Sequence, residues 1–225
     1  MGERTSLEEA GYQWRFLGEE HLPQVMRLQH LAAKETEVAG MFHPMPEDYV
    51  MNQLKTGRNG IGVFQAGELV CLHLISFPRR QEENFGKDVG LVGEELKNVA
   101  HMGAVAIHPA HRGKGLHREV GDCHLRLIKR SGCHHVCATA SPYNYPSLRF
   151  LTTRGFRIRE MREKYQGQLR CILHLALQEV VPEWKMTQEV DSRDIVKQKQ
   201  LLEEGWQGCG VERTAEGFSL RFVKE

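Results

Sequence analysis

The sequence predicts a mixed α/β domain that carries a C-terminal extension. Three observations lead there. Segments with period-two alternation are interleaved with segments of helical spacing. Proline and glycine sit at the joins between them. With 40% apolar and 26% charged residues, the chain can bury a core. Its 225 residues fit one large domain, or a domain with a modest appendage.

The elements follow in order. Tyr12–Leu17, "YQWRFL", alternates aromatic and polar residues as a strand does. Leu22, Val25, Met26, Leu28 and Leu31 recur at helical spacing between Glu19 and Lys34. A second helix is framed by Pro46 and Gly57. "GIGVFQAGELVCLHLISF" reads as two strands around Ala66-Gly67. Pro78 to Val99 is polar and glycine-punctuated, and a loop of that length between strands calls for a job. A strand resumes over Ala100–Ile107. A helix over Leu116–Arg130 then aligns Leu116, Val120, Cys123 and Leu127 on one face. "HHVCATA" is a short strand, "YPSLRFLTTRGF" a helix stopped at Gly155, and Phe156–Tyr165 and Leu169–Leu177 are two more strands. The pattern breaks around Val180–Asp194, at Pro182 and a polar run. The expected division is therefore 1–178 for the main domain and 179–225 for an extension. That extension reads as one helix, capped by Asp194 and stopped at Gly205, and one strand in "FSLRFV". It would pack on a sheet edge or form a homodimer contact.

Charge narrows the partners. Thirty basic residues against 29 acidic ones leave no broad footprint for nucleic acid or an anionic membrane. No stretch approaches the roughly 18 apolar residues of a spanning helix. Six thiols and no apolar leader point to a reducing, cytoplasmic address.

The chemistry concentrates in "GAVAIHPAHRGKGLHREV", Gly103 to Val120. A strand there runs through a glycine pair into a helix. That junction aims backbone N–H groups along the positive end of a helix dipole. Gly113 and Gly115 remove the Cβ atoms that would hold a phosphate away, and Arg112 and Lys114 add cations. The plain alternative is a β–α turn with surface charges. Neither a P-loop nor a dinucleotide fingerprint is present.

A second motif follows another strand: "SPYNYPSLRFLTTRGF", Ser141 to Phe156. Together the two resemble the GNAT superfamily, the acetyl-CoA-dependent N-acyltransferases. The family's pyrophosphate motif, [R/Q]-x-x-G-x-[G/A], falls on Arg112, Gly115 and His117. Its second motif falls on Asn144, Ser147, Gly155 and Phe156. The resemblance spans about Tyr12 to Leu177 and implies a central mixed, mostly antiparallel sheet, splayed into a V and flanked by helices. It further implies acetyl-CoA as acyl donor. Pantetheine would pair with the backbone of Val105, Ala106 and Ile107. The amides of Gly113, Lys114, Gly115, Leu116 and His117 would hold the pyrophosphate, and Asn144 and Ser147 would face the same cofactor. The loop from Pro78 to Val99, with Arg79, Arg80, Lys87, Glu82, Glu83, Glu94 and Glu95, and the segment Met41–Gln53 would line the acceptor side.

Two positions depart from the family pattern. His117 stands where Gly or Ala is preferred, so its side chain must turn away from the phosphates, or the helix start shifts, or the imidazole adds a donor. Leu151 occupies the place of the tyrosine that protonates the leaving thiolate in many members. The remaining candidates for the acid are Tyr143 and Tyr145, and for the base His101, Glu95 and Glu94. Each has a plain alternative: packed aromatics, a satisfied core histidine, solvated carboxylates. "CHHVC", Cys133 to Cys137, is rich in metal ligands, but a strand cannot close a tetrahedron alone, and no metal is expected. The residues thus suggest an N-acetyltransferase that moves acetyl to a primary amine, with a small molecule as acceptor, by direct transfer in a ternary complex. The competing reading is a GNAT-fold module that binds acyl-CoA without turnover.

Overall fold

The structure is a computed structural model that describes residues 6–36, 40–79, 82–178 and 183–225. Arg80 of the expected acceptor loop, and Pro182 with the rest of 179–182 where the domain division was expected, lie outside the described residues. The chain forms two compact units, one from residues up to Ser76 with Met102–Leu127, the other from Phe77–His101 with Ile128–Glu225.

The first unit contains α1 (Ser6–Glu9), β1 (Tyr12–Phe16), α2 (Leu22–Lys34), α3 (Glu47–Leu54), β2 (Gly60–Gln65) and β3 (Glu68–Ser76). It also holds most of β4 (Val99–Ile107) and of α4 (Leu116–Arg130). Its strands run in the order β1-β2-β3-β4, and the β1–β2 and β2–β3 pairs are antiparallel. The β2–β3 connection is the two-residue turn Ala66-Gly67. Its φ angles of 49° and 83° place both residues in the left-handed region, which matches the twist of a hairpin. Alternation along the strands then divides the core. Phe64, Leu69, Leu72, Leu74 and Ala106 meet α2 and α3 through Val25, Leu28, Val50 and Leu54. Ile61, Val63, Val70, Cys71 and Ile107 meet α4 through Leu116 and Val120. Each fully buried leucine or valine contributes about 1.5–3 kcal/mol.

In the second unit the strands β5 (His135–Ala140), β6 (Arg157–Lys164), β7 (Gln168–Ala176), β8 (Met186–Asp191), β9 (Gln207–Thr214) and β10 (Gly217–Lys224) run in the order β5-β7-β6-β9-β10-β8, with antiparallel pairing throughout. Two helices join them, α5 (Tyr145–Thr152) and α6 (Ile195–Glu203). The polar loop before β4 is stitched down by Phe85, Val89 and Leu91, which pack on Val99, Cys137, Ile172 and Tyr165. Lys164 completes the stitch with ion pairs to Asp88 at 2.8 Å and Glu83 at 2.9 Å.

The C-terminal segment is richer than the helix and single strand expected, since it holds α6 and the three strands β8, β9 and β10. Both missed strands hide for physical reasons. β8 is an edge strand that buries only Val190, so its polar run reads as a linker. β9 carries Gly208 and Gly210, which weaken strand propensity. The segment lies wholly within the second unit, and neither boundary of that unit falls at 178.

The contact between β9 and β6 explains one of those glycines. Ile158 pairs with Gly208, and a Cβ on Gly208 would come within 2.8 Å of the Ile158 side chain. A Cβ on Gly210 would meet nothing closer than Arg221 at 3.9 Å. Gly208→Ala should therefore lose about 1–3 kcal/mol of stability by overpacking. Gly210→Ala should change it by less than about 1 kcal/mol, and urea unfolding of the two variants side by side checks the contrast.

Candidate functional site

In the first unit, the residues of the glycine junction lie between β4 and α4. A short 3-10 turn, Pro109–His111, is capped by His108, whose Nδ1 accepts the Ala110 N–H at 3.2 Å. The backbone then passes through Gly113 at φ 77° and Gly115 at φ 81° before α4 begins at Leu116. Left-handed φ at both places selects glycine over any residue with a Cβ. A Cβ built at either position would meet nothing within 4 Å, so the turn's outer side is open. Among the described residues, the amides of Gly113, Lys114, Gly115 and Leu116 donate to no protein group. Open space faced by uncommitted N–H groups at a helix start fits a phosphate.

Each of the two cations of the junction also has a protein partner. Arg112 Nη1 donates to the Glu35 carbonyl at 3.1 Å, which caps the C-terminus of α2. Lys114 Nζ donates to the Tyr12 hydroxyl at 3.1 Å, and that hydroxyl also lies 2.9 Å from His111 Nδ1. Burial, then Lys114 and His108, holds His111 below its ordinary pKa. Tyr12 as an anchor 102 residues from Lys114 had no signal in the sequence.

His117 resolves one departure. Its ring meets that of His73 edge-on, with centroids 6.3 Å apart, so the imidazole is engaged with β3. His73 Nδ1 in turn lies 2.8 Å from His124 Nδ1. Both are buried. Burial, followed by the neighbouring His124 and His117, drives His73 well below the usual histidine range, although the Val120 backbone opposes this. Burial takes His124 to about 4, with the Arg58 backbone as the opposing influence. Of the β4 residues expected along pantetheine, Ala106 is buried under α2 and α3, while Val105 and Ile107 are half-buried.

In the second unit, Asn144 is the N-cap of α5, and its Oδ1 accepts the Ser147 N–H at 3.1 Å. That bond leaves the side-chain amide of Asn144 as a donor without a protein partner among the described residues. Leu151 is buried. Tyr143 is 41% exposed, and its hydroxyl has no partner among the described residues. Tyr145 is held by three contacts. Its hydroxyl accepts from Arg149 at 2.9 Å, Arg213 lies 4.4 Å over its ring and Phe218 packs against its edge at 5.3 Å. These contacts make it an anchor, while its own O–H proton stays in place.

His101, by contrast, is occupied at the atom a base would use. Its Nε2 accepts the Phe85 N–H at 3.1 Å, its ring stacks on Phe85 and burial, with Lys164 adding to it, lowers its pKa to about 3. A base needs the lone pair that Phe85 already uses. Glu95 is exposed and accepts the Val92 N–H at 3.1 Å, and Glu94 pairs with Lys97 at 2.6 Å. In the "CHHVC" stretch, His135 Nδ1 lies 3.1 Å from His174 Nε2, and Cys137 is buried. Among the described residues no three His, Cys, Asp or Glu side chains gather as a metal set, and no helix is long and apolar enough to cross a membrane.

The mixed α/β fold thus carries a glycine turn feeding a helix in one unit and an asparagine-capped helix after a strand in the other. The family model described as the acetyltransferase (GNAT) family matches residues 27–156. The chain belongs to that family, enzymes that draw their acetyl group from acetyl-CoA. Solved structures with the same fold include the putative acetyltransferase yncA of Salmonella typhimurium with its cofactor acetyl-CoA, at 16% identity and TM-score 0.56, covering 78% of this chain and 99% of that one. An N-acetyltransferase of Staphylococcus aureus Mu50 aligns at 13% identity and TM-score 0.55, covering 74% and 99%. The ribosomal-protein-S18-alanine N-acetyltransferase of Escherichia coli aligns at 13% and 0.51, covering 78% and 99%. No curated protein matches the sequence closely enough to count as a relative.

The histidine pair makes stability depend on pH. Both imidazoles are neutral in the fold and titrate near 6.5 when unfolded, so the unfolded chain binds more protons in acid. Their contribution is intact above pH 6.5 and is lost as pH falls towards 4. At pH 5 the loss should be roughly 1–2 kcal/mol per imidazole. Urea midpoints at pH 7.5 and pH 5 should show the fall, and a His73→Leu, His124→Leu double variant should reduce it, leaving the share that buried His101 and His174 contribute.

Proposed function

We propose that the chain transfers acetyl from acetyl-CoA to a primary amine of a small-molecule acceptor, directly, in a ternary complex. The observation that carries this reading is the turn itself: two left-handed glycines, open outer space and four uncommitted amides at the start of α4. In this reading the amides from Gly113 to His117 receive the pyrophosphate, and the backbone of Val105, Ala106 and Ile107 accompanies pantetheine. The guanidinium of Arg112 and the ammonium of Lys114 add positive potential, each anchored by one hydrogen bond to the protein. Asn144 and Ser147 keep the cofactor-facing role that the family motif gives them, with the Asn144 amide as donor. We retain residues 1–178 as the catalytic part and 179–225 as an extension to it.

Direct transfer is supported by the three buried thiols. Burial pushes Cys71, Cys137 and Cys171 up to about 12, with Asp88 adding to the effect at Cys137. A thiol with that pKa offers almost no thiolate at neutral pH, so an acetyl-cysteine intermediate has no nucleophile there. Proximity of the two reactants then supplies much of the rate. For the departing thiolate, Tyr143 is the proton donor we favour, because its phenol is exposed and uncommitted.

Titration calorimetry of acetyl-CoA tests the cofactor part. The wild type should bind, and Gly115→Glu, which puts a carboxylate in phosphate space, should abolish binding. Gly115→Ala controls for the left-handed backbone and should weaken binding only partly, at a cost of about 1–2 kcal/mol in stability. Absence of binding to the wild type would overturn the reading. For turnover, a thiol-release screen over an amine library identifies the acceptor. On that acceptor Tyr143→Phe should lower kcat about 10²-fold while leaving the acetyl-CoA Kd within twofold.

A further inference from the structure

The segment after residue 182 has a task that follows from where it touches α5. This helix has eight residues, two turns, a length at which helices fray readily in isolation. Its first turn carries the Asn144 cap, and a cap that frays loses the orientation of its amide. Tyr145, the residue after the cap, is held on two sides by the C-terminal segment. Arg213 of β9 lies 4.4 Å over its ring, and Phe218 of β10 meets its edge at 5.3 Å. Phe218 is itself only 8% exposed, so the contact is set in packed core. A third contact comes from within α5, where Arg149, one turn on, donates to the Tyr145 hydroxyl at 2.9 Å. The platform is rigid because β10 is paired on both sides, Phe218 opposite Arg213 in β9 and Ser219 opposite Asp191 in β8.

We infer that the C-terminal segment clamps the first turn of α5 through Arg213, Phe218 and Tyr145, and so fixes Asn144 for the pantetheine portion of acetyl-CoA. These three are positioning residues, which act through Asn144 and touch no reacting atom. The inference rests on the cofactor reading above. In this arrangement Tyr145, beside the cap, serves as an anchor for the helix start. It also gives the extension a function that needs no second copy of the chain.

The test separates pantetheine from phosphate. Acetyl-CoA carries both, whereas adenosine 3′-phosphate 5′-diphosphate carries the pyrophosphate without pantetheine. Phe218→Ala should raise the acetyl-CoA Kd about tenfold and leave the Kd of the diphosphate within twofold of wild type. Arg213→Gln, an exposed change that spares the core, should raise the acetyl-CoA Kd about threefold with an unchanged melting temperature. Phe218→Leu should recover part of the loss, and in turnover KM for acetyl-CoA should rise while kcat stays within twofold. Acetyl-CoA binding at wild-type strength in both Phe218→Ala and Arg213→Gln would overturn the clamp. So would equal weakening of both ligands, the mark of a merely structural role. Failure of the wild type to bind acetyl-CoA would instead sink the cofactor reading on which the clamp stands.

Discussion

The constraint on which the rest depends is a backbone that must enter α4 with its first amides left over. Helix starts always leave N–H groups without intrahelical partners, and most proteins satisfy them with a side-chain cap. Here the residues that would supply such a cap are Gly113, Lys114 and Gly115, and none does so among the described residues. Two left-handed φ angles make a side chain at 113 or 115 costly, so the absence of a cap is built into the backbone conformation itself. The turn also needs anchoring, because glycines lose more entropy on ordering than other residues. Arg112 ties it to the end of α2 and Lys114 ties it to Tyr12 in β1. The cations in the R-G-K-G tetrapeptide therefore hold the loop still, and the amides are what it presents.

The same logic of engaged side chains runs through the titratable groups. Interior histidines are used as packing: His101 against Phe85, His73 against His124, His135 against His174. An imidazole pair hydrogen-bonded in the interior requires one ring to donate and the other to accept, and for His73 and His124 burial holds both rings neutral. The buried thiols are equally inert. Among the described residues, the groups of the two motifs that stay open are the turn amides, the Asn144 amide and the Tyr143 phenol. A catalyst of this kind works by holding reactants and moving few protons, which suits acyl transfer from a thioester with a good leaving group.

Most of the fold was legible in the sequence because it is written in periodicity and punctuation. Pro46 and Gly57 bracket α3 within a few residues, and Leu116, Val120, Cys123 and Leu127 face the first unit's core as their spacing implies. The family motif located the turn and the α5 cap, since both are local. What could not be read is what depends on distant partners. Nothing in "YQWRFL" marks Tyr12 as the anchor of Lys114, and nothing in "FSLRFV" marks Phe218 as the neighbour of Tyr145. One catalytic candidate is lost for the same reason: His101 looks available in one dimension and is occupied in three.

The C-terminal segment shows how such occupation can arise from sheet chemistry. Strand β6 would present an unpaired edge if the chain stopped after β7, and an edge invites association. β9 covers that edge, with Ile158 seated opposite Gly208 where a Cβ would clash. Once β9 is fixed there, its return strand β10 must follow in register, and this brings Arg213 and Phe218 to the same end of the hairpin. Tyr145 is met by both from that end. The need to close an edge thus leads, without further design, to a helix start that is braced from outside its own sequence neighbourhood.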